Sequence, residues 1–172
     1  MPTTLQEDLE SFRKGIETMI RIDSQTIIKN TNATHAKIIL EAMFAAATTS
    51  ALVFCGHVSD DVWGSETMAR NIETAIRRGV EVKFIVEHPQ DMPNPKDSPT
   101  VAMLRCNPNI LVSSVAITGW NRHFAVFDSK RFRVETNHGR KTAIACVNNR
   151  EVAEGLEQVA RAMLDIARPI VV

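Results

Sequence analysis

Three observations predict an α/β/α sandwich on a mixed, largely parallel sheet. The run Ala51-Leu52-Val53-Phe54-Cys55 is fully apolar and ends in Gly56-His57, as a buried strand does. A helical pattern follows and stops at Arg77-Arg78-Gly79, before a second apolar run at 80–86. Strand, helix and strand with a short glycine turn make a right-handed βαβ unit, and hence a parallel pair. Farther along, Asn121 to His138 reads as two strands joined by a turn at Asp128-Ser129-Lys130.

The remaining elements fit that frame. Thr4-x-x-Glu7 has the form of a capping box. Leu5, Leu9, Phe12, Ile16, Met19 and Ile20 then recur at helical spacing, giving an apolar stripe suited to the chain's own sheet or to a partner subunit. Residues 1–33 are therefore read as a helical extension and 34–172 as the main domain. A short strand through Thr26-Ile27-Ile28 and a turn at Asn30-Thr31-Asn32 fit the ambiguous stretch at 21–32.

An Ala-, Ile-, Leu- and Met-rich helix is expected at 34–47, an irregular loop at 59–64 and a helix capped by Ser65. The proline-bearing segment 87–98 reads as a loop, 100–106 as a short helix and 110–117 as a third strand. A strand at 142–147 and a helix at 151–167, with Val152, Leu156, Val159, Met163 and Ile166 inward, close the chain.

Gross composition narrows the function classes. The 172 residues suffice for one domain with a real core, and no apolar run approaches the roughly 20 residues needed to span a bilayer. The first residues lack the basic and apolar regions of a secretory signal. The three cysteines, Cys55, Cys106 and Cys146, are far apart in apolar settings and read as buried thiols in a reducing cytoplasm. They have no zinc-ligand spacing, and Asp60-Asp61 has no further ligand nearby, so neither a metal nor a cofactor is expected. Twenty basic residues balance 20 acidic ones. Locally, however, Arg122, Lys130, Arg131, Arg133, Arg140, Lys141 and Arg150 face only Asp128 and Glu135 in that stretch, an excess that could draw an anionic ligand or keep an edge soluble.

From 34 to 167 the order of elements resembles one half of the phospholipase D superfamily, which includes bacterial single-domain endonucleases. The resemblance rests on the Ala-rich helix, the apolar strand, the helix ending in Arg-Arg-Gly-Val-Glu-Val and the hairpin. That family carries H-x-K-x-x-x-x-D on the first hairpin strand and a Gly-Ser-x-Asn element on the second. Counting from Asp128 puts Asn121 at the nucleophilic histidine and His123 at the lysine. Thr136 falls at the serine position and His138 at the asparagine, while an orienting glutamate would fall near Asn149 or Glu151. Only the aspartate is retained.

The resemblance implies a site in which an imidazole attacks phosphorus, a second histidine protonates the leaving oxygen, and lysine and asparagine hold the phosphate. Asn121 cannot be that nucleophile, although its amide can donate to a phosphate. Alternation with period two puts residues 121, 123, 125 and 127 on one face. The expected anion site is therefore Asn121, His123, Thr136 and His138, with Asn137, Arg122, Arg140 and Lys141 around it and Asp128 as a structural element.

His57, at the carboxyl end of the first strand, lies where open α/β sheets place ligands. His35-Ala36-Lys37 sits at a helix start without the required aspartate. Trp63 and Trp120 read as packing anchors at loop ends.

The leading expectation is a non-catalytic or catalytically altered cytoplasmic protein, with no membrane association. It would bind nucleic acid or a nucleotide in the cleft of a homodimer. A metal-independent phosphodiesterase using His123 and His138 is the alternative. A third is a dimeric scaffold, or a subunit of a larger protein complex, whose site is inert.

Overall fold

The computed structural model describes residues 4–117, 122–137, 139, 140 and 142–170. Its order is α1 (Thr4–Arg21), β1 (Ile28–Asn30), α2 (Ala33–Ala46), β2 (Ser50–Cys55), α3 (Asp60–Trp63), α4 (Glu66–Arg77) and β3 (Glu81–Val86). A single 3-10 turn at Pro89–Asp91 follows. Then come α5 (Pro99–Cys106), β4 (Ile110–Ser114), β5 (Phe124–Phe127), β6 (Arg131–Asn137), β7 (Thr142–Cys146), α6 (Arg150–Ile166) and β8 (Arg168–Pro169).

One eight-stranded sheet runs β1-β7-β6-β5-β2-β3-β4-β8. It is mixed, as expected, but the parallel part is confined to β2–β3–β4. The other five pairings are antiparallel, because two hairpin connections build the β5–β6–β7 side and the edge strands return against their neighbours. The third strand stops at Ser114 and not at 117, and the expected loop at 59–64 contains the one-turn helix α3.

Helices cover both faces. Ile39, Met43 and Phe44 of α2, with Met68 and Ile72 of α4, pack on Val53, Phe84, Ala125 and Phe127. On the other face α6 lays Ala153, Ala160 and Met163 on Leu52, Phe54, Phe124 and Val126. Helix α1 joins the first layer through its buried Ile16, with Leu9, Phe12, Met19 and Ile20 packed against the same core. The side chains of Thr4, Leu5 and Glu7, on which the capping box and part of the stripe rest, lie outside the described residues.

Local chemistry explains the boundaries. Ser65 Oγ accepts from Met68 N to open α4, and Asn32 Oδ1 accepts from His35 N to open α2. Helix α4 ends at Gly79, whose φ of 89° supplies the left-handed turn into β3. Arg78 closes the neighbouring helix, its Nη2 donating to the carbonyls of Phe44, Ala45 and Ala47. Buried Cys55 and Cys146 match the expectation; Cys106 does not, because it sits on the exposed end of α5. Among the described residues no helix is long and apolar enough to cross a membrane.

Candidate functional site

The carboxyl ends of β2 and β3 meet the start of β5 and the end of β6, because β5 runs antiparallel to β2. This convergence brings His123, Glu87 and Glu135 together from three separate parts of the chain. His123 Nε2 lies 3.2 Å from Glu87 Oε2, and Nδ1 lies 3.3 Å from Glu135 Oε2. The imidazole is 8% exposed and stands edge-on to Phe54. Gly56 leaves it room: a Cβ there would lie 2.9 Å from His123 Cε1.

The electrostatics follow from this clamp. Burial disfavours the charged imidazole, but hydrogen bonds to Glu135 and Glu87 and their charges outweigh it, so the His123 pKa is raised. Both ring nitrogens lie against carboxylates, so neither is directed at the cavity to attack phosphorus. The nearby Cys55 thiol is pushed up to about 12 by burial and by the same two carboxylates, so it is not a nucleophile either.

Arg133 extends the array across the sheet. Its register partners are Ala125 and Ala145, small residues that leave space for a guanidinium on a covered face. Nε donates to Asn30 Oδ1 at 2.8 Å, and Nη1 lies 3.8 Å from Glu135 Oε1. A cavity of about 100 Å³ opens beside this array. His123, Arg133 and Glu135 line its polar side and Leu40, Val62 and Trp63 its apolar wall, with exposed His57 and half-buried Ser59 at its margin.

Several expected members lie elsewhere. Thr136 lies at the register shift after Glu135 and is exposed, with its hydroxyl against the carbonyl and hydroxyl of Thr142 rather than turned to His123. Asn137 accepts from Arg140 N within the β6–β7 turn, and both residues are exposed. Asn121, His138, Lys141 and Trp120 lie outside the described residues. Asn149 caps α6 through Val152 N and Glu151 is exposed on that helix, while position 121, whose side chain the expected glutamate would orient, lies outside the described residues. The carboxylates on His123 are Glu87 and Glu135.

His35 is a packing residue, stacked 4.3 Å from Phe12 and bonded to Thr31 Oγ1. Much of the local positive excess is neutralised internally. Lys130 pairs with Asp23 at 2.5 Å and Arg131 with Asp128 at 2.5 Å, while Arg133 is buried. Arg122, adjacent in sequence to His123, and Arg140, in the β6–β7 turn, are exposed.

Asp128 has a structural function. Its carboxylate accepts from Thr48 N, Thr49 N and Ser50 N, the last at 3.1 Å and Thr49 at 2.7 Å. It thereby ties the hairpin turn to the start of β2. Burial alone would raise its pKa, but those three N–H groups and Arg131 leave it lowered. Asp128 and Ser129 both have positive φ, 55° and 50°, as the tight turn requires.

Solved structures share this architecture. Nuc, a phospholipase D family member from Salmonella typhimurium, superposes with a TM-score of 0.60 at 11% identity, over 86% of this chain and 97% of its own. The chain has the phospholipase D fold. NucT from Helicobacter pylori agrees at a TM-score of 0.62 and 16% identity, covering 84% of this chain and 100% of that one. The archaeal chromatin protein TrmBL2, described as showing a novel mode of DNA binding, also gives 0.62 at 14% identity; 96% of this chain is covered, and the chain spans 65% of that protein's length. No protein-family model matches the sequence, and no curated protein matches it. Among the described residues no group of three or more His, Cys, Asp or Glu is arranged to hold a metal.

Proposed function

We propose that this chain is a catalytically silent protein of phospholipase D fold that binds nucleic acid as a homodimer. The observation that carries the reading is the double carboxylate clamp on His123, which occupies both ring nitrogens of the one histidine described at the expected motif. A buried imidazole held at both nitrogens is neither an available nucleophile nor an exposed proton donor. The affinity for phosphate is assigned to an outer rim that includes exposed Arg122, next to His123, and exposed Arg140, in the β6–β7 turn. A structural neighbour supports the choice of ligand, since TrmBL2 is described by its DNA binding. A twofold arrangement would set two such rims on one cleft.

The test is incubation with single- and double-stranded DNA and RNA in EDTA, using wild type, His123→Ala and an Arg122→Ala/Arg140→Ala variant. Binding without cleavage is expected. The log–log salt slope should fall by about 0.9 for each duplex phosphate that the double variant no longer neutralises. Cleavage by wild type that disappears in His123→Ala overturns the silent reading in favour of a phosphodiesterase. Absence of both binding and cleavage leaves a scaffold. Sedimentation equilibrium checks the dimer.

A further inference from the structure

The cavity beside His123 contains a donor that the proposed function does not use. Arg133 is 5% exposed, its Nε is satisfied by Asn30 and its Nη1 faces Glu135, but its Nη2 has no hydrogen-bond partner among the described residues. A buried guanidinium N–H without an acceptor is costly, roughly 1–3 kcal/mol or more for a charged group. Here the residue lines a cavity large enough for several non-hydrogen atoms.

We propose that this cavity binds a small neutral molecule, or the neutral end of a larger one, whose carbonyl or hydroxyl oxygen accepts from Arg133 Nη2. Three features select that class. The size comes first: about 100 Å³ is smaller than the 150 Å³ engineered cavity that admits benzene, so the buried part has about four to six non-hydrogen atoms. Charge comes second. Among the described residues, Glu135 and Glu87 already stand against Arg133 and His123, so an added carboxylate or phosphate would sit beside two carboxylates. The walls come third, since Leu40, Val62 and Trp63 offer apolar surface to the rest of the molecule. Such a ligand would bind independently of nucleic acid, whose contacts are assigned to the outer rim.

Three isosteric probes test it: acetamide, acetate and acetamidinium, which share four non-hydrogen atoms and differ in charge. The readout is the Arg133 Nε–H resonance in a nitrogen–proton correlation spectrum, recorded on the full chain. Acetamide is expected to shift it saturably at about 1 mM, inside the limit for four non-hydrogen atoms. Acetate and acetamidinium should bind at least about fivefold more weakly, in line with the desolvation cost of an unpaired buried charge. Arg133→Met should abolish the response. Because that variant also breaks the bonds to Asn30 and Glu135, Val62→Phe, which fills the cavity and keeps Arg133, is the second arm. It should abolish acetamide binding while melting cooperatively. No saturable shift in wild type, acetate binding as tightly as acetamide, or undiminished binding by Val62→Phe would each overturn the proposal.

Discussion

Replacing Asp128 tests whether the aspartate at the hairpin turn works by holding the fold together. Its side chain is 9% exposed and takes three backbone N–H groups and one guanidinium. Hydrogen bonds to a charged acceptor contribute up to about 1.5–3 kcal/mol each, but Thr48 and Thr49 are exposed and would recover water. A net loss of about 1 kcal/mol per bond is therefore appropriate, roughly 3 kcal/mol in all. Alanine adds the cost of a left-handed conformation at φ 55°, about 1 kcal/mol, which asparagine largely escapes. Asp128→Ala should lose about 4 kcal/mol and, for a chain of this size, roughly 10 °C in Tm. Asp128→Asn, which keeps an acceptor oxygen, should lose about half as much. Urea unfolding at pH 7 measures both. A loss below about 1 kcal/mol for the alanine variant, or equal losses for the two, would refute the assignment. Because the folded pKa is lowered, this stabilisation is present above pH 3.8 and fades as the pH falls through the folded value.

Three further outcomes follow from the site and its supports. The raised His123 pKa makes a stabilising contribution that is complete below pH 6.5 and is lost as the pH rises through the folded value. Between pH 6.5 and 8, below the range where an unfolded Cys55 would ionise, stability should fall by at most about 1.4 kcal/mol per pH unit. Urea melts of His123→Gln should lack this component. Gly56→Ala should cost about 1–3 kcal/mol, because the clamped imidazole cannot swing away from the new methyl. In a His123→Ala background the same change should cost less than about 0.5 kcal/mol, a coupling that a double-mutant cycle reads directly. Glu41 is 2% exposed and accepts from Arg13 and Ser65 at 2.6 Å each, joining α1, α2 and α4. Its removal in Glu41→Ala should cost about 2–4 kcal/mol in thermal melts, less than a fully buried pair because Arg13 is one-third exposed.

The helices, the β2–α4–β3 unit and the hairpin are legible because each carries its own local signal: apolar period, a Ser65 cap, a glycine stop or a turn tripeptide. The balance of parallel and antiparallel pairing is not, since β1 and β8 reach their neighbours only through the tertiary fold. At the site, His123 is legible from the motif offset, but its partners are not. Counting residues assigns 135–138 to a polar element and points to Thr136. The better signal is Phe132-Arg133-Val134-Glu135: in a strand covered on both faces, alternating charges must point into the protein and pair there. Glu87 has a weaker signal, an acidic residue at the carboxyl end of an apolar strand. Asp128 stands out by position, while its partners at 48–50 lie some 80 residues away and carry no mark of the pairing.

The polar row from Asn30 through Arg133, Glu135 and His123 to Glu87 has an evolutionary consequence. Each member shields the charge or dipole of the next inside a covered sheet, so none can be removed alone without exposing its neighbour to an apolar surround. Descendants of this gene should therefore exchange these positions in groups. A lineage that replaces Arg133 with an apolar residue should also have relinquished Glu135, and where His123 has gone, Glu87 should have followed.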